Sequence, residues 1–154
     1  IPEGWQPANV VAPIQVHRLD KDGGDVTVRI DGQYEGLARW HRRVQWSETG
    51  LQVDDEVRLE DAREDRVVFR WHLGTEDEVD LKGQEDSWEV IWPGARITLR
   101  ADAHLQVSQT QMPDHTLEAG DDRHLHTCLV VRSANAVNGL DLSTRVRPAR
   151  GASP

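Results

Sequence analysis

Cysteine occurs once in this chain, at Cys128, so neither an internal disulfide nor a cysteine-rich zinc site is available. Cationic charge is scarce as well: 18 Lys plus Arg stand against 27 Asp plus Glu, a formal net charge of −9. That balance argues against general binding to nucleic acid or to an anionic membrane, since both require a positive surface. No apolar run approaches the ~18 residues of a membrane span. Nucleophile elbow, P-loop and Rossmann glycine patterns are missing, as are low-complexity stretches and internal repeats. There is no secretory leader pattern and no initiator Met before Ile1-Pro2-Glu3, which suggests a processed product or a piece of a longer chain.

What is present points to one domain. The chain has 154 residues, 37% of them hydrophobic and 29% charged, a polar composition but not that of a disordered chain. Six tryptophans supply large apolar area for a core. Period-two alternation recurs over 10–16, 25–30, 44–46, 51–59, 67–73, 79–81, 88–92, 97–99, 104–107, 125–131 and 140–146. Turn chemistry separates the runs, as in Asp22-Gly23-Gly24, Asp31-Gly32, Pro93-Gly94 and Asn138-Gly139. Hardly any 3.6-residue periodicity competes, and Asp61–Asp65 reads as a strand connection. The pattern predicts an all-β fold, an antiparallel β-sandwich of roughly ten to twelve strands. Residues 1–147 form the expected single domain and 148–154 a disordered tail, small, basic and proline-containing.

Among residues able to carry chemistry, the histidines come first. Asp55 shares parity with Leu51, Val53 and Val57, so it points toward an apolar face, where an unpaired carboxylate is costly. His41 precedes it, and His72 follows on the parity opposite to Phe69, Trp71 and Leu73. Three successive strands thus offer His41, Asp55 and His72, a ligand set that suits zinc. The competing reading is a hydrogen-bonded cluster with Arg43 or Arg70 neutralising Asp55. His124 and His126 form an HxH pair, about 6.5–7 Å apart if extended, with no third ligand in view. His17, His104 and His115 stand alone. Trp88 and Trp92 share one strand face and offer a sugar-stacking platform, with Trp40 as a further candidate; core packing is the alternative for all three. The acidic runs at Glu76–Glu78 and Glu85-Asp86 read as solvated loops.

Three blocks carry a resemblance: Tyr34 to Trp46 with His41-Arg42-Arg43, Gly50 to Val57 with Val53-Asp54-Asp55-Glu56-Val57, and Val67 to Gly74 with Phe69-Arg70-Trp71-His72-Leu73. In this order they resemble the HxR, VxDxV and FxxHL succession of the heparinase II/III-like polysaccharide lyases. Trp88 to Leu99 and Leu140 to Val146 are similar to that family's final strands, so the likeness spans residues 30–147. The resemblance implies the C-terminal β-sandwich region only, packed against an absent N-terminal α-helical toroid, in a periplasmic or extracellular enzyme. Such lyases cleave uronic-acid-containing polysaccharides by β-elimination: a base removes the C5 proton and the 4-O-linked sugar leaves. Since the catalytic groups come mostly from the toroid, no catalytic residue is assigned to this chain. The resemblance also implies a structural zinc held by His41, Asp55 and His72, with Arg39, Trp40 and Arg43 lining a cleft for acidic polysaccharide. The alternative is a free-standing carbohydrate-binding module; nucleic-acid and membrane partners are not expected.

Overall fold

The computed structural model describes residues 11–113 and 125–149. It contains eleven strands: β1 Ile14–Asp20, β2 Gly23–Asp31, β3 Leu37–Ser47, β4 Gly50–Leu59, β5 Val68–His72, β6 Asp80–Gln84, β7 Ser87–Trp92, β8 Ala95–Ala101, β9 Leu105–Pro113, β10 Leu125–Ser133 and β11 Gly139–Pro148. They build two antiparallel sheets, one of eight strands in the order β1-β2-β3-β4-β11-β8-β7-β6 and one of three in the order β5-β10-β9. The all-β sandwich inferred from the alternation is therefore the observed fold. Each alternating run corresponds to one strand, although the first is displaced: β1 begins at Ile14, and Val10 lies outside the described residues. β11 runs to Pro148, one residue into the expected tail, while 150–154 lie outside the described residues.

Alternation places the core. Val57, Val90, Ile97, Leu99, Leu140 and Leu142 of the large sheet meet Phe69, Leu105, Leu129 and Val131 of the small one, and all are buried. At roughly 25 cal/mol per Å² of apolar surface removed from water, this layer is the main favourable term in folding. Gln109 of β9 ties the sheets' margins, its amide donating to the Val79 carbonyl and accepting from the Val79 N–H at 2.8 Å each. Thr127, wholly buried, donates to the Asp77 carbonyl at 2.7 Å. Such side chains replace strand partners that the backbone lacks where it changes sheets.

Two glycines matter for the strands that carry the charged groups. A side chain on Gly24 would meet the Trp46 ring 2.2 Å away, so the indole closes over a bare backbone. Gly36 has a φ of 78°, the left-handed conformation in which glycine carries no steric penalty, and ends the β2–β3 connection.

The two layers differ greatly in width. The three-stranded sheet leaves the inner face of β1 and β2 without a covering strand among the described residues. Ile14, Val16 and Leu19 lie on that face by register with Val28, Val26 and Gly24, and remain 66%, 56% and 67% exposed. A bulge between Val16 and Arg18 bends the edge strand there.

Candidate functional site

The most constrained polar group is Asp55. Its β4 neighbours Val53 and Val57 are buried, and the alternation carries its carboxylate inward with them, fully shielded from solvent. Burial of a charge demands a partner, and Arg42 lies directly opposite on β3. Its Nε donates to Asp55 Oδ1 at 2.7 Å and its second nitrogen to Oδ2 at 3.1 Å, a bidentate fork. The Trp40 Nε1–H donates to the same Oδ1 at 2.8 Å. The Arg42 guanidinium lies 5.1 Å from the ring centroids of both Trp40 and Trp71, within cation–π range. Trp71 belongs to β5, so Arg42 joins the large sheet to the small one. The partner expected for Asp55, Arg43 or Arg70, is corrected to Arg42, whose parity with Val44 and Trp46 is the inward one.

The structure does not bring His41, Asp55 and His72 together. His41 lies opposite Glu56 and Arg29, hence on the outer face of the large sheet, where its Nε2 sits 2.9 Å from Asp31 Oδ1. His72 lies on the outer face of the small sheet, because β5 has left the sheet that contains β3 and β4. Its Nδ1 is 2.6 Å from Nε2 of His126, with ring centroids 4.9 Å apart. Three side chains on three faces, one of them already held by a guanidinium and an indole, do not fit a zinc ion. Among the described residues no group of three or more His, Cys, Asp or Glu is placed to hold a metal. The HxH pair is also recast: His126 meets His72, while His124 lies outside the described residues, as does His115. Of the histidines that stand alone in the sequence, His17 bonds Thr27 Oγ1 at 2.8 Å.

The residues expected to line a cleft divide. Arg39 and Arg43 reach the outer face of the large sheet but are neutralised there: Arg39 pairs with Glu56 at 2.5 Å, and Arg43 forks onto Asp25 at 2.9 and 2.6 Å. The Arg43 hydrogen bond holds the Asp25 carboxyl below its ordinary pKa, and Asp25 in turn raises that of Arg43. Trp40 points the other way, toward Asp55. Trp88 and Trp92 pack against the core between the sheets, which removes them as a stacking platform.

A further outer-face feature went unnoticed in the sequence. Arg96 and Arg100 alternate along β8, Arg145 and Arg147 alternate along β11, and the register sets the two pairs side by side. The i, i+4 spacing of Arg96 and Arg100 and the i, i+2 spacing of Arg145 and Arg147 are visible in the sequence, but their adjacency depends on a pairing between distant strands.

No family profile matches the chain, and no curated protein matches it. Solved structures do. Heparan sulfate lyase HepC from Pedobacter heparinus is similar over 92% of this chain and 22% of its own, with a TM-score of 0.65 and 11% identity. Heparinase III is similar over 90% of this chain and 22% of its own, with a TM-score of 0.63 and 16% identity. The heparinase III BT4657 gene product is similar over 89% and 22%, with a TM-score of 0.53 and 13% identity. At these identities the likeness is one of fold, and it agrees with the fold implied by the three sequence blocks. The chain has the architecture of one domain of these lyases and spans 22% of their length.

Proposed function

We propose that this chain is the β-sandwich part of a heparinase-like polysaccharide lyase, an accessory domain that cleaves nothing by itself. The observation carrying the reading is the lopsided coverage, nearly all of this chain against a small share of each lyase. β-Elimination needs a base for the C5 proton, an acid for the departing oxygen and a group that neutralises the uronate carboxylate. In this reading those groups come from an α-helical toroid N-terminal to the sandwich. The carboxylates of Asp25, Asp55 and Glu56 are each engaged by an arginine, so none of the three is free of a partner within the chain. The apolar face formed by Ile14, Val16 and Leu19, exposed among the described residues, offers the toroid a surface to pack on, since contiguous exposed apolar patches commonly mark interaction sites.

The test is turnover on heparan sulfate and other uronic-acid polysaccharides, followed by the ultraviolet absorbance of the unsaturated uronate. The chain alone is expected to give no rise, and the sandwich joined to its helical partner to give one. Val16→Lys with Leu19→Lys is expected to leave the isolated chain folded while weakening the joined form. Turnover by the pure chain, or a joined form indifferent to both lysines, would overturn the respective part of the reading.

A further inference from the structure

The outer face of the large sheet carries an arrangement that its own charges do not complete. In the β11–β8 register, Ser143 lies opposite Arg100, Arg145 opposite Thr98, and Arg147 opposite Arg96. Every second cross-strand step therefore presents at least one arginine on this face, alternating with a hydroxyl in two of the three rows. At ~3.4 Å rise per residue, successive rows stand about 7 Å apart, so the strip is about 14 Å long. Arg147 and Arg96 face each other directly, and like charges in that position are destabilising unless something anionic lies between them.

Elsewhere on the sheet most arginines of the first four strands are satisfied, Arg29 of β2 being an exception without an ion pair among the described residues. Arg18 is paired with Asp20, Arg39 with Glu56, Arg43 with Asp25 and Arg58 with Asp141. In the strip the pattern changes. Arg145 bonds only the neutral amide of Gln52, at 2.9 Å. Arg96 has Glu89 at 3.9 Å, the outer limit of an ion pair. Arg100 and Arg147 have no ion pair among the described residues. The nearest acid on the β4 side, Asp54 opposite Ser143, accepts from the Gln52 amide at 3.0 Å. For a chain of net charge −9, four arginines gathered between Glu89 on one side and the acidic border of Asp54, Asp102 and Asp141 at the Arg100 end are a local concentration of positive charge.

The surface there is also concave. A depression of about 380 Å³ is lined by Thr98, Arg100, Ser143, Arg145 and Arg147. A second, of about 450 Å³, adjoins it at Arg145 and Arg147 and continues past Ser47 and Thr49 toward Gln45 and the arginine-paired Asp25. Guanidinium groups bind carboxylate and sulfate through paired N–H donors, and hydroxyls between them match the hydroxyls of a sugar. No aromatic side chain lies among the strip's six residues, which disfavours single-stranded nucleic acid, whose bases need stacking partners.

We propose that the Arg96–Arg100–Arg145–Arg147 strip binds a polysaccharide bearing carboxylate or sulfate groups, running along β11 and β8 with Thr98 and Ser143 contacting its hydroxyls. The anion site stands on the arginines; the choice of polysaccharide rests on the lyase reading above. The strip is suited to holding a length of polymer laid along the two strands.

Calorimetric titration of the complete chain with a heparan sulfate oligosaccharide tests this directly. Arg100→Gln with Arg147→Gln is expected to weaken binding by about 10- to 100-fold, the worth of one or two charge-assisted hydrogen bonds. The melting temperature should not fall, because neither side chain has an anionic partner to lose. Arg29→Gln with Arg66→Gln removes the same charge elsewhere and is expected to leave affinity unchanged. Affinity should also fall steeply with added salt. An oligosaccharide that fails to bind at low salt, or that binds both double variants equally, would overturn the site. Equal affinity for single-stranded DNA of matched charge would overturn the assignment to polysaccharide. Binding that tracks the arginines in a protein whose joined form shows no turnover would uphold the strip and sink the lyase reading, so the two failures are distinguishable.

Discussion

Replacing Arg42 with methionine isolates the energetics of the buried ion pair. The substitution keeps an apolar stem against Trp40 and Trp71 but deletes both guanidinium bonds to Asp55, leaving a fully buried carboxylate with the Trp40 indole as its remaining side-chain donor. Breaking a buried pair from one side costs about 3–5 kcal/mol, because the surviving charge stays desolvated. For a domain of 154 residues, with ~2–4 °C per kcal/mol, the melting temperature should drop by about 6–20 °C. Asp55→Leu should cost less, about 1–3 kcal/mol, since Arg42 is already partly exposed and can turn toward water. The double variant, with both charges gone, should lie within about 1 kcal/mol of the parent. Urea unfolding followed by tryptophan fluorescence yields all four corners of the cycle. Costs that simply add to within ~0.5 kcal/mol would refute the reasoning, since residues in one network must couple. Elemental analysis of the same samples should detect no zinc that disappears with Asp55.

Two other outcomes follow from local geometry. Gly24→Ala is expected to lower stability measurably by forcing Trp46 aside, whereas Gly74→Ala, with open space around it, should be nearly neutral; equal effects in thermal melts would contradict the close approach. In acid, Asp20 and Asp25 set the direction. Arg18 holds the Asp20 carboxyl down to about 2 from its ordinary 3.8, and Arg43 lowers that of Asp25. A lowered folded-state pKa contributes stability that is complete above 3.8 and is lost as pH falls toward 2. Melting temperature should therefore decline across that window, more shallowly for Asp20→Asn with Asp25→Asn; an unchanged slope would show that these pairs contribute nothing.

How much of this was legible in advance depends on the range of the interaction. Alternation is local, so the eleven runs located eleven strands, and the parity of Asp55 with Val53 and Val57 correctly turned it inward. Parity also held the answer to its partner, since Arg42 alternates with Val44 and Trp46 whereas Arg43 does not. The expected convergence of His41, Asp55 and His72 failed on topology. His41, Asp55 and His72 occupy successive strands, but the chain crosses to the other sheet between β4 and β5, and no local pattern announces that crossing. The same limit hid the contact of His72 with His126, 54 positions apart, and the side-by-side arginines of β8 and β11.

The place of β11 in the sheet order has a consequence for how the molecule comes to exist. Strands β1 to β4 form one meander and β6 to β8 another, and the last of the described strands is inserted between β4 and β8 as the seam that makes them one sheet. During synthesis, both meanders must wait with their inner edges unpaired until Gly139–Pro148 has emerged. Folding is therefore governed by long-range closure, with rates in the millisecond-to-second regime expected of non-local β-topologies. β11 is the component whose late arrival, or absence, leaves two half-sheets with open edges prone to pairing with other chains.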